Sequence, residues 1–282
     1  MSDSTSAKEH IGIVGVGRMG LAMLKHLKKA GYAVTVCDTA SIQLDKARQM
    51  GGAAAETPAA VGKAASFVIV GVGYDDEVNQ VVLGPDGLLA TLSAGAVIAI
   101  SSTAAPDTVK ALAVLAREKR IEVLDAPICR GRWYADEGKL LALFGGTAEV
   151  VARARPIYGT FCSDVAHLGE VGHGQAGKAI NNLLLWVTSI GLIEAGRLAE
   201  SAGMDLAKLR DALMVSSAKS QALEDWDQTS FTWALKDMQI VAKMTDQAGL
   251  SLPLTGAVRE MVKEARRIKA ANPPPWTGRK PA

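Results

Sequence analysis

The feature that most constrains the fold of this 282-residue chain is a glycine pattern close to its beginning. Residues 15–20 read Gly-Val-Gly-Arg-Met-Gly and directly follow the apolar run 11–14. An amphipathic stretch, residues 21–30, comes next. Glycines at this spacing allow a tight turn and a close approach of the backbone to a bound group. The sequence therefore predicts a strand, a turn and a helix whose N-terminus can bind phosphate.

Short apolar runs alternate with amphipathic stretches throughout the first half of the chain. The predicted strands are residues 11–15, 33–37, 67–70, 96–100 and 121–124, and the runs 140–144 and 164–167 are candidates to extend the sheet. The predicted helices are residues 21–30, 42–50, 75–82 and 107–119. Such alternation predicts parallel βαβ units in a doubly wound sheet.

After about residue 172 the pattern becomes helical. Long helical periods cover residues 178–202, 206–215, 236–249 and 254–269. The predicted fold class is therefore α/β, with an N-terminal Rossmann domain at residues 1–172 and an all-helical domain at residues 173–282. A long interdomain helix joins the two. The proline-rich tail, residues 272–282, is predicted to be extended or disordered.

Composition excludes several classes of protein. The chain has 31 basic and 29 acidic residues, and this near balance argues against nucleic-acid binding. Three scattered cysteines fit neither a disulfide framework nor a zinc site, and no metal is predicted. The apolar stretch 183–193 is shorter than the roughly 20 residues that a bilayer span needs. We expect a soluble cytoplasmic protein without a membrane or nucleic-acid partner.

The acidic residue expected beside a bound dinucleotide is Asp38, at the end of the second predicted strand. Its carboxylate can accept hydrogen bonds from the adenosine ribose hydroxyls. The same carboxylate would repel the 2′-phosphate of NADP, and the following Thr39 supplies no cation. The sequence therefore predicts NAD as the cofactor.

Four blocks in order resemble the β-hydroxyacid dehydrogenases, the family that includes 3-hydroxyisobutyrate dehydrogenase. Besides the glycine pattern, these are Ser-Thr-Ala-Ala-Pro at 102–106, Asp-Ala-Pro-Ile-Cys-Arg-Gly at 125–131, and the segment 169–182. The last block is the most specific, and a weaker match follows at 235–238. The resemblance implies hydride transfer between a nicotinamide and a small hydroxy acid or semialdehyde.

The resemblance also assigns roles to residues. It implies catalytic roles for Lys178 and Asn182. Substrate contacts are predicted for Cys129, Arg130, Gly131 and Lys236. Cofactor contacts are predicted for Gly15, Gly17, Arg18, Met19, Gly20, Asp38, Val72, Ser102, Thr103 and His173.

The proposed chemistry suits a lysine. Oxidation of an alcohol removes a proton from oxygen while hydride leaves carbon, and a lysine whose pKa lies near the working pH can accept that proton. Asn182 lies four residues after Lys178, on the same helical face, and can orient a substrate hydroxyl or carboxylate without adding charge. The alternative is that Lys178 is only a solvated lysine. Similarly, Lys236 could form a surface pair with Asp237.

The loop at 125–131 departs from the family pattern. Cys129 stands where the family has serine, and Arg130 stands where it has glycine. A guanidinium offers bidentate binding of a carboxylate, sulfonate or phosphonate. This favours an anionic substrate larger or more highly charged than 3-hydroxyisobutyrate. The alternative is that Arg130 faces solvent or binds a cofactor phosphate.

Two other functions share this architecture. An imine reductase would replace the catalytic lysine and often uses NADP, whereas this chain has Lys178 and Asp38. A non-catalytic NAD-binding protein of the same fold would not need Lys178 and Asn182 together. The resemblance to the β-hydroxyacid dehydrogenases also implies pairing through the long helix, as a homodimer or homotetramer, and the apolar segment 183–193 agrees with it.

Overall fold

The computed structural model describes residues 8–278. The chain divides into two compact units, Met1–Lys178 and Ala179–Ala282, whereas the sequence predicts a boundary after residue 172. The strands of the first unit are β1 (Ile11–Val14), β2 (Val34–Cys37), β3 (Ala53–Ala54), β4 (Phe67–Val70), β5 (Val97–Ile100), β6 (Glu122–Asp125), β7 (Ile128–Cys129), β8 (Leu140–Gly145) and β9 (Cys162–Gly169). Its helices are α1 (Arg18–Lys29), α2 (Ser41–Gln49), α3 (Pro58–Ala64), α4 (Asp75–Leu83), α5 (Pro106–Glu118), α6 (Gly131–Glu137) and α7 (Ala148–Tyr158).

These strands form one sheet in the order β3-β2-β1-β4-β5-β6-β8-β7, with β9 paired to β8. Strands β1 to β6 are parallel to one another, whereas β8 runs antiparallel to β6 and β7. Strand β1 has β2 on one side and β4 on the other, so the strand order reverses at its carboxyl end. Doubly wound sheets bind ligands at such a point. The predicted sheet is confirmed, and β7–β9 extend it with a change of direction.

Helices cover both faces of the sheet, which explains why the central strands are continuous apolar runs. Ile13 and Ile69 belong to the core on one face, together with side chains of α1 and α7. Val14 and Val70 belong to the core on the other face, with side chains of α3, α4 and α5. Alternate side chains along each strand therefore pack into two separate apolar cores, one on each face of the sheet.

Helix α8 (His173–Ser201) begins at the end of the first unit and continues into the second. The second unit also contains α9 (Leu206–Leu213), α10 (Gln221–Glu224), α11 (Ala234–Ala248) and α12 (Pro253–Ala271). Strands are absent from residues 179–278, as predicted.

The tail does not follow the prediction of an extended or disordered segment. Trp276 is fully buried in the core of the second unit, and its Nε1 donates to the carbonyl oxygen of Leu192 at 3.0 Å. The carbonyl oxygen of Pro274 in turn accepts from Nε1 of Trp226. The prediction was wrong for residues 272–278 because one tryptophan anchors a proline-rich segment by burial. Residues 279–282 lie outside the described part.

By length and composition, α8 is the one helix among residues 8–278 that could cross a membrane. Its most apolar 18-residue window has a mean hydropathy of 1.3, and 44% of that window is buried. This is weak evidence for a membrane span, because the core helix of a soluble protein gives the same signal. Here Trp186, Ile190 and Ile193 pack in the core of the second unit.

Candidate active site

The glycine turn lies at the carboxyl end of β1, where Gly15 adopts a φ of 93°. A Cβ on Gly15 would meet the carbonyl oxygen of Gly71 at 2.5 Å, and one on Gly20 would meet that of Gly15 at 2.2 Å. Both positions therefore require glycine for packing. A Cβ on Gly17, the N-cap of α1, would meet no heavy atom within 4 Å. Gly17 thus borders open space at a helix N-terminus, as a cradle for a pyrophosphate requires.

Asp38 follows β2 and reaches the glycine turn. Its Oδ2 accepts from the backbone nitrogen of Val16 at 2.7 Å, and its Oδ1 accepts from that of Ala40 at 2.8 Å. The carboxylate is therefore held beside the turn by two backbone donors. A carboxylate has about four lone-pair sites, so it can still accept from ribose hydroxyls.

Arg18 and Met19 belong to the first turn of α1. The exposed Arg18 guanidinium forms an ion pair with Asp136 of α6, and Met19 packs against the core. Neither position conflicts with the predicted cofactor contact, but each side chain has a partner inside the protein.

Val72 and Ser102 lie beyond the carboxyl ends of β4 and β5. The buried Ser102 hydroxyl accepts from the backbone nitrogen of Val72 at 2.8 Å. The predicted cofactor contacts Val72 and Ser102 are thereby brought together, and Thr103 is the next residue along the same loop. The hydroxyl of Ser102 therefore serves to join the two strand ends.

Gln175 ties the start of α8 to this loop. Its Nε2 donates to the carbonyl oxygen of Ser102 at 2.8 Å, and its Oε1 accepts from the backbone nitrogen of Ala104 at 3.0 Å. Only 1% of Gln175 is exposed. The predicted cofactor residue His173 lies two positions earlier, is exposed, and accepts from the backbone nitrogen of Glu170 through Nδ1.

Asp125, the last residue of β6, is fully buried against the same turn of α8. Its Oδ2 accepts from the backbone nitrogens of Gly172 and Gln175, each at 2.9 Å. Its Oδ1 has no hydrogen-bond partner among residues 8–278. Burial raises the pKa of Asp125 to about 7, although the backbone donors of Gln175, Gly172 and Gly174 oppose this shift.

This raised pKa predicts a pH-dependent stability. An acid whose folded-state pKa exceeds its unfolded value of 3.8 keeps its proton longer in the folded protein. Its contribution to stability therefore falls as pH rises from about 4 to about 7 and is constant outside that window. Replacing Asp125 with asparagine removes this titration while keeping an acceptor for the two backbone donors.

We expect Asp125→Asn to have a higher free energy of unfolding than the wild type, by a difference that grows with pH. Three pKa units correspond to about 4 kcal/mol in the free energy of unfolding between about pH 4 and about pH 8. Urea denaturation at several pH values measures this difference, and the other titrating groups cancel in it. A difference that does not change with pH would contradict the assignment.

Lys178 lies on the second turn of α8, half-buried. Its Nζ donates to Sγ of Cys129 at 3.8 Å, so the predicted catalytic lysine and the predicted substrate loop meet. Only 3% of Cys129 is exposed. Asn182, in the second unit, is 4% exposed, and its Oδ1 accepts from the side chain of Asn181.

Arg130 follows Cys129 in a left-handed conformation, with a φ of 85° that favours glycine. Its Nη1 donates to Oδ2 of Asp164 at 2.7 Å, to Oγ of Ser163 and to the carbonyl oxygen of Lys139. The guanidinium therefore has partners on β9. Gly131, the next residue, has a φ of 76° and open space around its Cα.

Lys236 lies on α11 in the second unit, with its Nζ 5.8 Å from the centroid of the Trp233 ring. Its neighbour Asp237 is buried and accepts from Nε1 of Trp186 at 3.0 Å. Asp237 therefore has a structural partner in α8. Among residues 8–278 there is no group of three or more His, Cys, Asp or Glu that could hold a metal ion.

Sequence families cover nearly the whole chain. A family described as the NAD binding domain of 6-phosphogluconate dehydrogenase matches residues 10–169. A second, described as the NAD-binding domain of NADP-dependent 3-hydroxyisobutyrate dehydrogenase, matches residues 172–272. The chain belongs to the β-hydroxyacid dehydrogenase family. It is accordingly an NAD(P)-dependent oxidoreductase, as the sequence blocks predict.

Relatives of this β-hydroxyacid dehydrogenase include two proteins of Pseudomonas aeruginosa. An NAD-dependent L-serine dehydrogenase is 34% identical and aligns over 77% of this chain and 72% of its own length. A 3-hydroxyisobutyrate dehydrogenase is also 34% identical, over 76% and 72%. Among solved structures, Mycobacterium tuberculosis 3-hydroxyisobutyrate dehydrogenase with L-serine has a TM-score of 0.82 at 25% identity, covering 94% and 95%. An imine reductase of Myxococcus stipitatus, 20% identical with a TM-score of 0.68, shares the fold alone.

Two residues of this β-hydroxyacid dehydrogenase site were missed by sequence reasoning. Gln175 falls within the block 169–182, and Asp125 directly follows the predicted strand 121–124, but neither was assigned a role. The available signal was chemical: Asp125 is a polar residue directly after an apolar strand, and Gln175 is a polar residue just before the predicted helix 178–202. What could not be read was that both side chains converge on one helical turn.

Proposed function

We propose that the protein oxidises a small anionic β-hydroxy acid with NAD, or reduces the corresponding semialdehyde or keto acid, with Lys178 as general acid and base. The observation that carries this proposal is the contact of Nζ of Lys178 with Sγ of Cys129. It brings the lysine to the loop that resembles the family's substrate loop. The relatives named for 3-hydroxyisobutyrate and L-serine support a small hydroxy acid.

The NAD that Gly17 and Asp38 would hold would supply a hydride acceptor for the carbon that bears the hydroxyl group. Lys178, as a neutral amine, takes the hydroxyl proton, and its ammonium form stabilises the developing alkoxide. In the reverse direction the ammonium returns that proton to the carbonyl oxygen. Asn182, one helical turn further, orients the hydroxyl or carboxylate through its amide.

The proposed cofactor is NAD rather than NADP. The space at Gly17 suits a pyrophosphate, and Asp38 is held beside the turn by Val16 and Ala40. An anion at this place favours ribose hydroxyls and opposes a 2′-phosphate. A reducing, cytoplasmic setting is proposed with it, because the three cysteines are free thiols.

The direct test is a panel of hydroxy acids, followed by the absorbance of the reduced nicotinamide. It includes 3-hydroxyisobutyrate, L-serine, and hydroxy acids bearing sulfonate or phosphonate groups, each with NAD and with NADP. Turnover with at least one acid, and a higher kcat/KM with NAD, is the expected result. Reduction of a cyclic imine without any hydroxy-acid activity would favour the imine reductase alternative. No turnover, with binding of NAD, would favour a non-catalytic protein.

The contact of Arg130 with a substrate anion remains part of the proposal and has its own test. Arg130→Gly removes the guanidinium and suits the φ of 85°, and we expect it to raise the substrate KM at least about tenfold. Asp164→Ala is the matched control, because it breaks the same ion pair but keeps the guanidinium. An equal KM in both variants and the wild type would mean that Arg130 only fastens the loop to β9.

A homodimer or homotetramer is proposed because α8 exposes apolar side chains on one face. Ile180, Leu184 and Leu198 are 56%, 61% and 71% exposed. Their spacing of four and fourteen residues keeps them on one side of a helix. We expect light scattering to give two or four times the mass of one chain, whereas the mass of a single chain would contradict the proposal.

A further inference from the structure

Gln175 is a buried polar residue whose side-chain amide both donates and accepts a hydrogen bond. Its amide donates to the carbonyl oxygen of Ser102 and accepts from the backbone nitrogen of Ala104, at 2.8 and 3.0 Å. These two backbone groups lie on either side of Thr103, in the loop that leaves β5. An apolar side chain would fill the same volume but would leave both backbone groups without these bonds.

The turn that carries Gln175 is fixed from a second side. Asp125 of β6 accepts from the backbone nitrogen of Gln175 itself and from that of Gly172. Gly174 packs so closely that a Cβ there would meet the carbonyl oxygen of Leu143 at 2.6 Å. The first turn of α8 is therefore held by the ends of β5 and β6 and by β8.

Lys178 lies three residues after Gln175, on the next part of the same helix. Any shift of the first turn relative to the loop at 102–104 moves the lysine relative to that loop. Both groups belong to the first unit, so this relation is set within one compact domain.

We infer that Gln175 is a positioning residue for the reaction: it fixes the distance between the Ser102–Ala104 loop and Lys178. This inference rests on the proposed function, in which Lys178 moves the proton, and on the predicted cofactor contacts of Ser102 and Thr103. Gln175 does not itself touch the reacting atoms. Its loss should therefore slow the chemical step rather than weaken cofactor binding, because a displacement of about 1 Å can cost about 100-fold in rate.

The test variant is Gln175→Met, which keeps a similar volume and removes both hydrogen bonds. With the hydroxy acid that supports turnover in the wild type, we expect kcat to fall about 50-fold while the KM for NAD changes less than about threefold. Substrate deuterated at the hydroxyl-bearing carbon should show a larger isotope effect on kcat than in the wild type. That increase would show that hydride transfer has become slower than product release.

Two controls separate positioning from stability. Ser101→Ala removes a neighbouring buried hydrogen bond, that of Ser101 with the Tyr158 hydroxyl at 2.7 Å, and should lower the melting temperature without changing kcat. Gln175→Glu keeps an acceptor for Ala104 but, when ionised, cannot donate to Ser102. It should therefore resemble Gln175→Met at alkaline pH.

The outcomes distinguish this inference from the proposed function. If Lys178→Ala is inactive while Gln175→Met keeps kcat within about twofold of the wild type, the positioning role is wrong and the proposed function stands. An equal loss of kcat in Ser101→Ala would also overturn it, since general destabilisation would then explain the result. If none of the hydroxy acids supports the reduction of NAD by the wild type, both proposals fail.

Discussion

Replacing Lys178 with alanine is expected to lower kcat about 1,000-fold, which is the usual contribution of a positioned general acid or base. The affinity for NAD should stay near that of the wild type, because the glycine turn and Asp38 lie on other elements of the first unit. Steady-state kinetics and a fluorescence titration with NAD measure the two quantities separately. A loss of NAD affinity equal to the loss of kcat would point to a binding role instead.

Lys110→Ala is a suitable control for the loss of a lysine near the same helix. The Lys110 side chain lies 2.5 Å from the position of a Cβ on Gly172, just before α8, and its Nζ is 4.0 Å from Asp107. This variant removes a cation close to α8 without touching the proposed chemistry, so it should keep wild-type turnover. Wild-type turnover in Lys178→Ala would end the assignment of Lys178 as the proton-transferring group.

A pair of glycine variants should separate cofactor binding from folding. Gly20→Ala places a methyl group 2.2 Å from the carbonyl oxygen of Gly15, so α1 has to move away from the turn. We expect it to lower the free energy of unfolding by about 3 kcal/mol. Gly17→Ala meets no atom within 4 Å and has an ordinary φ of −62°. We expect its stability to change by less than about 1 kcal/mol.

For cofactor affinity, the variant with the large effect should instead be Gly17→Ala. The methyl group of Gly17→Ala enters the space through which a pyrophosphate would approach the backbone, and we expect the Kd for NAD to rise about 100-fold. Thermal unfolding without cofactor and a titration with NAD measure the two effects. If Gly17→Ala bound NAD as tightly as the wild type, the open space at Gly17 would not be the pyrophosphate site.

Much of the fold could be predicted because local pattern and tertiary position agree in the sheet. Strands β1, β2, β4 and β5 are buried on both faces, so their sequences are continuous apolar runs. Helix α7 was not predicted, although Thr147 caps it, because Pro156 interrupts the helical pattern near its end. The burial of Trp276 was missed for another reason: its partner, Leu192, is 84 residues away in sequence.

In the candidate site too, some contacts could be predicted from the sequence and others could not. Gly15, Gly20 and Asp38 could be placed from spacing, because the strand–turn–helix geometry alone brings them together. The ion pair of Arg130 with Asp164 could not be predicted, since it depends on how β7 and β9 lie around β8. Residue type suggested a free guanidinium, whereas tertiary structure gives it three acceptors on Nη1.

The position of the Lys178 amine in a crystal structure with bound NAD and a hydroxy acid tests the central claim most directly. We expect Nζ to lie about 3 Å from the oxygen of the substrate hydroxyl group, whose carbon faces the nicotinamide ring. An amine that points into bulk water, well beyond hydrogen-bonding distance of that oxygen, would contradict it.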